Sequence, residues 1–232
     1  MDLAPLVEPA AQFTDAELRR YARHLNVPEI GGEDQLRLKN ARVLCVGAGG
    51  LGSPALLYLA AAGVGTLGVV DDDAVDASNL QRQVIHGGTA LGASKTASVA
   101  ARITDLNPLV RVVENRERVT VDNALEVLAG YDLVLGGTDN FETRYLVSDA
   151  CELAGVPHVW GSILRFDGPV LGVLGRAPRG PSPPARRGPH RHRAPRGRGA
   201  GVERADGPVP RSILWPIMSG TALSMSSRYP DR

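Results

Sequence analysis

Ala41-Arg42-Val43-Leu44-Cys45-Val46-Gly47-Ala48-Gly49-Gly50-Leu51-Gly52 runs from a short apolar segment straight into a glycine cluster. A helix-like segment follows at once. Gly47, Gly49 and Gly52 have the G-x-G-x-x-G spacing of a nucleotide-binding turn. Glycines there allow a tight turn and a close approach of backbone to phosphate, which then rests on a helix N-terminus. Ser53 and Pro54 suit the cap and the first helical position. The stretch therefore predicts a strand, a phosphate-cradling loop and a helix.

Working outward, strands and helices alternate. Strands are expected at Val43–Val46, Leu67–Val70, Val110–Val113, Leu133–Leu135 and His158–Ser162. Helices are expected at Ser53–Ala62, Ser94–Leu106, Asn123–Leu128 and Glu142–Ala154, with Gly63, Asn107-Pro108 and Gly155 as stops. Such alternation implies an α/β fold with a Rossmann-like, doubly wound, mostly parallel sheet covered on both faces. Residues 14–39 precede it as one or two helices, and Thr14 to Glu17 has capping-box spacing. The expected organisation is a helical segment at 1–40, a nucleotide-binding domain at 41–168 and a tail at 169–232.

The net charge of +1 hides an asymmetry. Residues 169–232 hold 12 Arg and 3 acidic residues, whereas residues 1–168 hold 14 basic and 22 acidic ones. Pro178–Arg211 is dominated by Pro, Arg, Gly and Ala, a composition too poor in apolar groups to offset ordering entropy. Two origins stay open for it: out-of-frame translation of a GC-rich gene, which accounts for onset and composition together, or a genuine disordered arm. Nucleic-acid binding is not expected. Val43–Val70 carries no charge, long enough to span a bilayer, but its seven glycines break it into strand, loop, helix and strand. No membrane span is therefore expected. Met1–Pro5 lacks a positively charged start, so the expectation is a cytoplasmic protein without a signal peptide. Cys45 and Cys151 fall in a predicted strand and a predicted helix, as buried inert thiols, and two cysteines cannot form a four-ligand zinc site.

The glycine turn and Asp71, 19 residues after Gly52, would by themselves suit a nicotinamide enzyme, with the carboxylate on a ribose. Three features favour a polyphosphate instead. Asn79-Leu80-Gln81-Arg82-Gln83 places an arginine able to clamp phosphate oxygens after the acidic cluster Asp71-Asp72-Asp73. Lys95 opens a helix, where a cation is repelled by the helix dipole and gains little structurally unless a phosphate faces it. Thr138-Asp139-Asn140 ends the fourth strand, where ligands bind in open α/β sheets, and Asp139 can hold magnesium against phosphates. The same triplet also suits a helix cap.

Together with Arg20-Tyr21-Ala22-Arg23-His24, Gly92-Ala93-Ser94-Lys95, Trp160-Gly161-Ser162 and Arg165-Phe166-Asp167-Gly168, these motifs resemble the adenylating enzymes of the ubiquitin-activating superfamily. The likeness is to the bacterial MoeB/ThiF/MoeZ group, over residues 14–168. It implies ATP-dependent adenylation of the C-terminal glycine carboxylate of a ubiquitin-like sulfur-carrier protein, with magnesium, giving an acyl-adenylate and pyrophosphate for cofactor biosynthesis. It implies nucleotide contacts from Gly47, Gly49, Gly50, Gly52, Asp71, Asp73, Asn79, Arg82, Lys95, Asp139 and Asn140. Catalytic roles are implied for Arg82, Lys95, Asp139 and Arg23, with Arg23 reaching the partner subunit's ATP in a homodimer.

Two departures accompany the resemblance. Gly136 stands where the family usually has Asp, and a glycine there is expected to loosen the strand end. The family also continues past the Arg165–Gly168 motif with Cys-x-x-Cys pairs for structural zinc and with further strands, which are not recognisable here. The expectation is a nucleotide-binding half with an incomplete C-terminal portion. A catalytically inactive nucleotide-binding remnant is the alternative; an NAD-dependent oxidoreductase leaves Arg82, Lys95 and Asp139 unexplained.

Overall fold

Strand β1 (Arg42–Val46) is buried at four of its five positions. An apolar run covered on both faces belongs in the middle of a parallel sheet. The computed structural model describes residues 5–161 and the strand backbone at 170–173. Around β1 stand β2 (Thr66–Val70), β3 (Arg111–Asn115), β4 (Leu133–Gly136), β5 (His158–Gly161) and β6 (Val170–Val173). Their order is β3-β2-β1-β4-β5-β6. The first five are parallel, and β6 pairs antiparallel with β5. The chain thus winds one way from β1 to β3 and the other way from β4 to β5. A crevice opens between β1 and β4 at their carboxyl ends, where such folds hold ligands.

Side-chain alternation along β1 builds two cores. Val43 and Cys45 face one layer with Leu56, Leu59, Val99 and Ile103. Those residues come from α4 (Gly52–Ala62) and α5 (Lys95–Leu106). Leu44 and Val46 face the other layer with Val127, Leu128, Val147 and Cys151. Those come from α6 (Ala124–Leu128) and α7 (Phe141–Ala154). α4 and α7 end on glycines in the left-handed region, Gly63 (φ 87°) and Gly155 (φ 69°), where side chains are disfavoured.

The amino-terminal region forms three helices rather than one or two: α1 (Asp15–Arg20), α2 (Ala22–Leu25) and α3 (Gly31–Asn40). Tyr21 interrupts the first pair because its ring is held against Gly63, and its hydroxyl accepts a hydrogen bond from Asn107 Nδ2 at 2.9 Å. The expected capping box forms: Thr14 Oγ1 accepts from the Glu17 amide, and Glu17 closes back on the Thr14 amide. Lys39, one of the two lysines, pairs with Glu17 at 2.8 Å and so fastens α3 to α1.

Three local expectations are corrected. α4 begins at Gly52 with Leu51 at the cap position, so Ser53 and Pro54 lie inside the first turn; the Ser53 hydroxyl donates back to Ala48 O at 3.1 Å instead of capping. Gly136 does not loosen the end of β4. It is buried, paired with Val46 on one side and Trp160 on the other, and the space of its missing side chain is filled by His158 and Trp160. Finally, β6 extends the sheet beyond Gly168. Ser162, the Arg165–Gly168 motif and the arginine-rich stretch with its two proposed origins lie outside the described residues. No described helix is long and apolar enough to cross a membrane, and Val43–Val70 divides into β1, α4 and β2.

Candidate functional site

The glycine loop sits where β1 meets α4. Gly47 has φ 96°, a left-handed conformation that favours glycine. A Cβ on Gly137 would lie 2.6 Å from Gly47 O, and a Cβ on Gly52 would lie 2.0 Å from the same oxygen. Gly47, Gly52 and Gly137 therefore pack backbone to backbone. Gly137 is a requirement that motif reading missed, because its neighbour is far away in sequence. The amides of Gly49 and Gly50 donate to no group among the described residues and remain free for a ligand.

Asp71 ends β2 beside this loop. Its Oδ2 accepts from the Ala48 amide at 2.8 Å and its Oδ1 from the Asp73 amide at 3.0 Å. A carboxylate has lone pairs for about four hydrogen bonds, so room remains for sugar hydroxyls. Lys95 Nζ lies 2.7 Å from Asp73 Oδ2 and 3.9 Å from Asp71 Oδ1. This corrects the expectation that Lys95 gains little structurally: two carboxylates offset its burial and its place at the helix start. A bridge between Ala74 and Ser94 holds the acidic segment against α5, and Ser94 caps that helix through the Ala97 amide. Asp71, Asp72 and Asp73 bring carboxylate oxygens within 4.8 Å of one another. Lys95 offsets part of that negative charge through Asp71 and Asp73.

The loop after the acidic segment begins with a short turn at Ala77–Asn79, capped by Asp76. Asn79 Nδ2 donates to Ser78 Oγ at 3.1 Å, and the residue is half-buried at the rim. Arg82 lies over the glycine loop; a Cβ on Gly50 would meet its Cγ and Cδ at 3.7 Å. Its guanidinium donates to Ser78 O at 3.3 Å and is otherwise exposed. Gln83 is buried next to Gly49, and its Oε1 accepts from nothing among the described residues.

The opposite wall is Thr138-Asp139-Asn140, directly after Gly137. Asp139 is exposed and without a hydrogen-bond or ion-pair partner among the described residues. Asn140 is the cap of α7, its Oδ1 accepting from the Glu142 and Thr143 amides. Its oxygen is thus committed to the helix, leaving its Nδ2 to meet a ligand. Arg144 donates to Thr138 O at 3.1 Å from between the rings of Phe141 and Trp160.

Arg23 is not brought to this cluster. It is exposed on α2, near Tyr21, which packs on Gly63 at the carboxyl end of α4. The glycine loop lies at the other end of that helix, a span of roughly 15 Å at 1.5 Å per residue. Both cysteines are inert: burial pushes the Cys45 thiol up to about 12, with Asp71 adding to it, and burial alone pushes Cys151 up to about 12. An apolar cavity of about 100 Å³ lies beside Cys45, Ala55, Leu135, Gly137 and Trp160, under the glycine loop.

The arrangement suits a polyphosphate ester. Free amides, a guanidinium and an ammonium converge on one crevice, with an unpartnered carboxylate opposite. A nicotinamide ring would leave the cations without a role. A model of the ThiF family matches residues 21–198. The chain is 60% identical over 166 residues to "Probable adenylyltransferase/sulfurtransferase MoeZ" of Mycobacterium tuberculosis, covering 72% of this chain and 42% of that protein. It is 52% identical over 159 residues to the "Sulfur carrier protein adenylyltransferase" of Thermus thermophilus, covering 68% and 59% respectively. Among solved structures it is similar to the E. coli tRNA N6-threonylcarbamoyladenosine dehydratase TcdA in complex with AMP. That likeness has a TM-score of 0.62 and 28% identity, over 65% of this chain and 62% of that one. The chain thus spans about half the length of the curated relatives it matches.

Proposed function

Because the chain belongs to the ThiF family, we propose that it serves the ATP-dependent adenylation of the C-terminal glycine carboxylate of a ubiquitin-like sulfur-carrier protein. The observation that carries this reading is the meeting of the free Gly49 and Gly50 amides, Arg82 and Lys95 at the β1–β4 crevice, opposite Asp139. A carboxylate oxygen of the carrier attacks the α-phosphorus of ATP. The new P–O bond makes an acyl-adenylate, and the bond to the β-phosphate breaks with its electrons leaving on pyrophosphate. The carboxylate is ionised at neutral pH, so no general base is required.

The residues act on charge and position. Gly47, Gly49, Gly50 and Gly52 let the backbone approach the phosphates. Asp71 holds the ribose hydroxyls with its remaining lone pairs, and Asn79 and Asn140 bound the nucleotide at the rim. Arg82 and Lys95 cancel the repulsion between two anions and stabilise the charge that builds on pyrophosphate. Asp73 holds the Lys95 amine until phosphates compete for it. Asp139 would hold magnesium, which when bound neutralises phosphate charge. Its free carboxylate at the end of β4 fits that role. No zinc is assigned to this chain, since its two cysteines are buried in separate core layers. Arg23, exposed near the far end of α4, would reach the nucleotide of another copy of the chain in the homodimer that this reading includes. A cytoplasmic setting belongs to the same reading.

The test is carrier-dependent exchange of labelled pyrophosphate into ATP by the 232-residue chain. Exchange is expected with a sulfur carrier bearing a free C-terminal glycine and not with one blocked there. ATP binding without exchange, for any such carrier, would instead establish a nucleotide-binding remnant.

A further inference from the structure

His86 belongs to none of the motifs that marked the site, yet it is buried and touches three of the site's elements. Its Nε2 lies 3.1 Å from Ala48 O, in the glycine loop, and its Nδ1 lies 2.9 Å from Ser98 Oγ, on α5. Its own segment follows Arg82, and the His86 amide donates to Gln83 O at 3.1 Å. The Ala48 carbonyl can only accept, so Nε2 carries the proton. Burial, the chief cause that lowers this imidazole, favours the neutral ring, whose Nδ1 then accepts from the Ser98 hydroxyl.

The Ala48–Gly49 peptide makes this contact consequential. A trans amide is planar, with its C=O and N–H pointing in opposite directions. His86 and Ser53 draw the Ala48 C=O into the protein, both at 3.1 Å. The Gly49 N–H in the same plane is thereby aimed outward into the crevice. On the other side of Ala48, its own amide is held inward by Asp71 at 2.8 Å. Ser98 lies one turn along α5 from Lys95, so the ring also ties the loop to the helix that supplies the ammonium.

Resting on the nucleotide reading above, we infer that His86 is the positioning residue of the phosphate cradle: by holding the Ala48 carbonyl it fixes the direction of the Gly49 amide and its register with Lys95. It touches no phosphate itself. Removing it should weaken ligands that reach the cradle and spare those that do not.

The experiment compares ATP and adenosine binding to the full chain, its H86L variant and its H86Q variant. Gln carries an N–H donor at a reach close to that of Nε2. H86L is expected to weaken ATP about five- to tenfold, the size of one lost hydrogen bond, and adenosine less than about twofold. H86Q is expected to restore ATP binding to within about twofold of the parent. Equal losses for the two ligands, no loss for ATP, or no rescue by Gln would overturn the assignment. Amide hydrogen exchange without ligand provides the second readout. In H86L, protection of the Ala48 amide should fall while that of Leu44 and Val46 in β1 holds. A uniform fall, or none, would also overturn it. If the parent chain binds no ATP, the nucleotide reading fails, and the exchange data still decide whether His86 holds the loop.

Discussion

His158 occupies the space a side chain at Gly136 would need: a Cβ built there would stand 2.9 Å from His158 Nε2 and 2.9 Å from Trp160 Cβ. The strand end and its neighbour are therefore a fitted pair. Gly136→Ala is expected to cost roughly 1–3 kcal/mol through overpacking. Combined with His158→Ala it should cost less than it does alone, because the ring no longer opposes the methyl group, although Trp160 Cβ still does. A double-mutant cycle in urea measures this; strictly additive costs would show that the two residues do not share the space.

His158 also predicts acid sensitivity. Burial, with the Arg144 guanidinium adding to it, pushes its imidazole down to about 4, and neither ring nitrogen has a partner among the described residues. The folded state keeps the ring neutral, while the unfolded chain takes up a proton below about pH 6.5. Stability is therefore full above that value, falls as the pH drops, and flattens near 4. The loss is roughly 3 kcal/mol by linkage. His158→Phe should remove most of this slope. His86, whose imidazole is also lowered, chiefly by burial, should leave a smaller residue of it. Urea midpoints at about pH 7.5 and about pH 4.5 make the comparison. An unchanged slope in His158→Phe would contradict this account.

Asp139 and Asn140, adjacent in sequence, should separate cleanly. Asn140→Ala removes the cap of α7 and is expected to lower stability by about 1 kcal/mol. Asp139→Asn removes an exposed carboxylate without a partner, so thermal unfolding should be unchanged. Its effect should appear in magnesium-dependent ATP binding and in pyrophosphate exchange. A fall in melting temperature for Asp139→Asn would assign that carboxylate a structural role.

Lys95 is held by Asp73, and that bond competes with any phosphate. Asp73 is the exposed partner, its side chain 66% accessible, so Asp73→Asn should cost less than about 1 kcal/mol of stability. It should strengthen ATP binding by releasing the amine. Lys95→Met should weaken ATP binding and leave Asp71 and Asp73 facing each other uncompensated. Titration calorimetry on both variants is decisive. Weaker ATP binding in Asp73→Asn would mean that Asp73 contributes to the nucleotide directly.

Sequence carried most of the fold, because β1, β2 and β4 announce themselves as apolar runs and α4, α5 and α7 have stops. The placement of Asp71, Arg82 and Asp139 around the glycine loop was legible for the same reason, since local spacing dictates local geometry; their roles in binding belong to the proposal. Contacts made by distant chain were not. Lys95 looked unpaid for at its helix start because Asp73 reaches it only through the Ala74–Ser94 bridge. Gly137 was not singled out because the atom it must avoid, Gly47 O, belongs to another strand end. Gly136 looked like a weakness because His158, which fills its space, lies on β5. His86 offered only a lone histidine, which sequence spacing cannot distinguish from a core residue.

The pairing of β1 with β4 bears on how the molecule is made. Val43 meets Leu133 across most of the nucleotide-binding segment. A nascent chain that has released β1, the glycine loop, β2 and β3 has only one wall of the crevice. Contacts of such long range form slowly, after local helices and turns. On the adenylation reading, Asp139 and Asn140 join the glycine loop, Asp71, Arg82 and Lys95 only once β4 has docked, so the full stabilising pull of a bound nucleotide comes late in assembly.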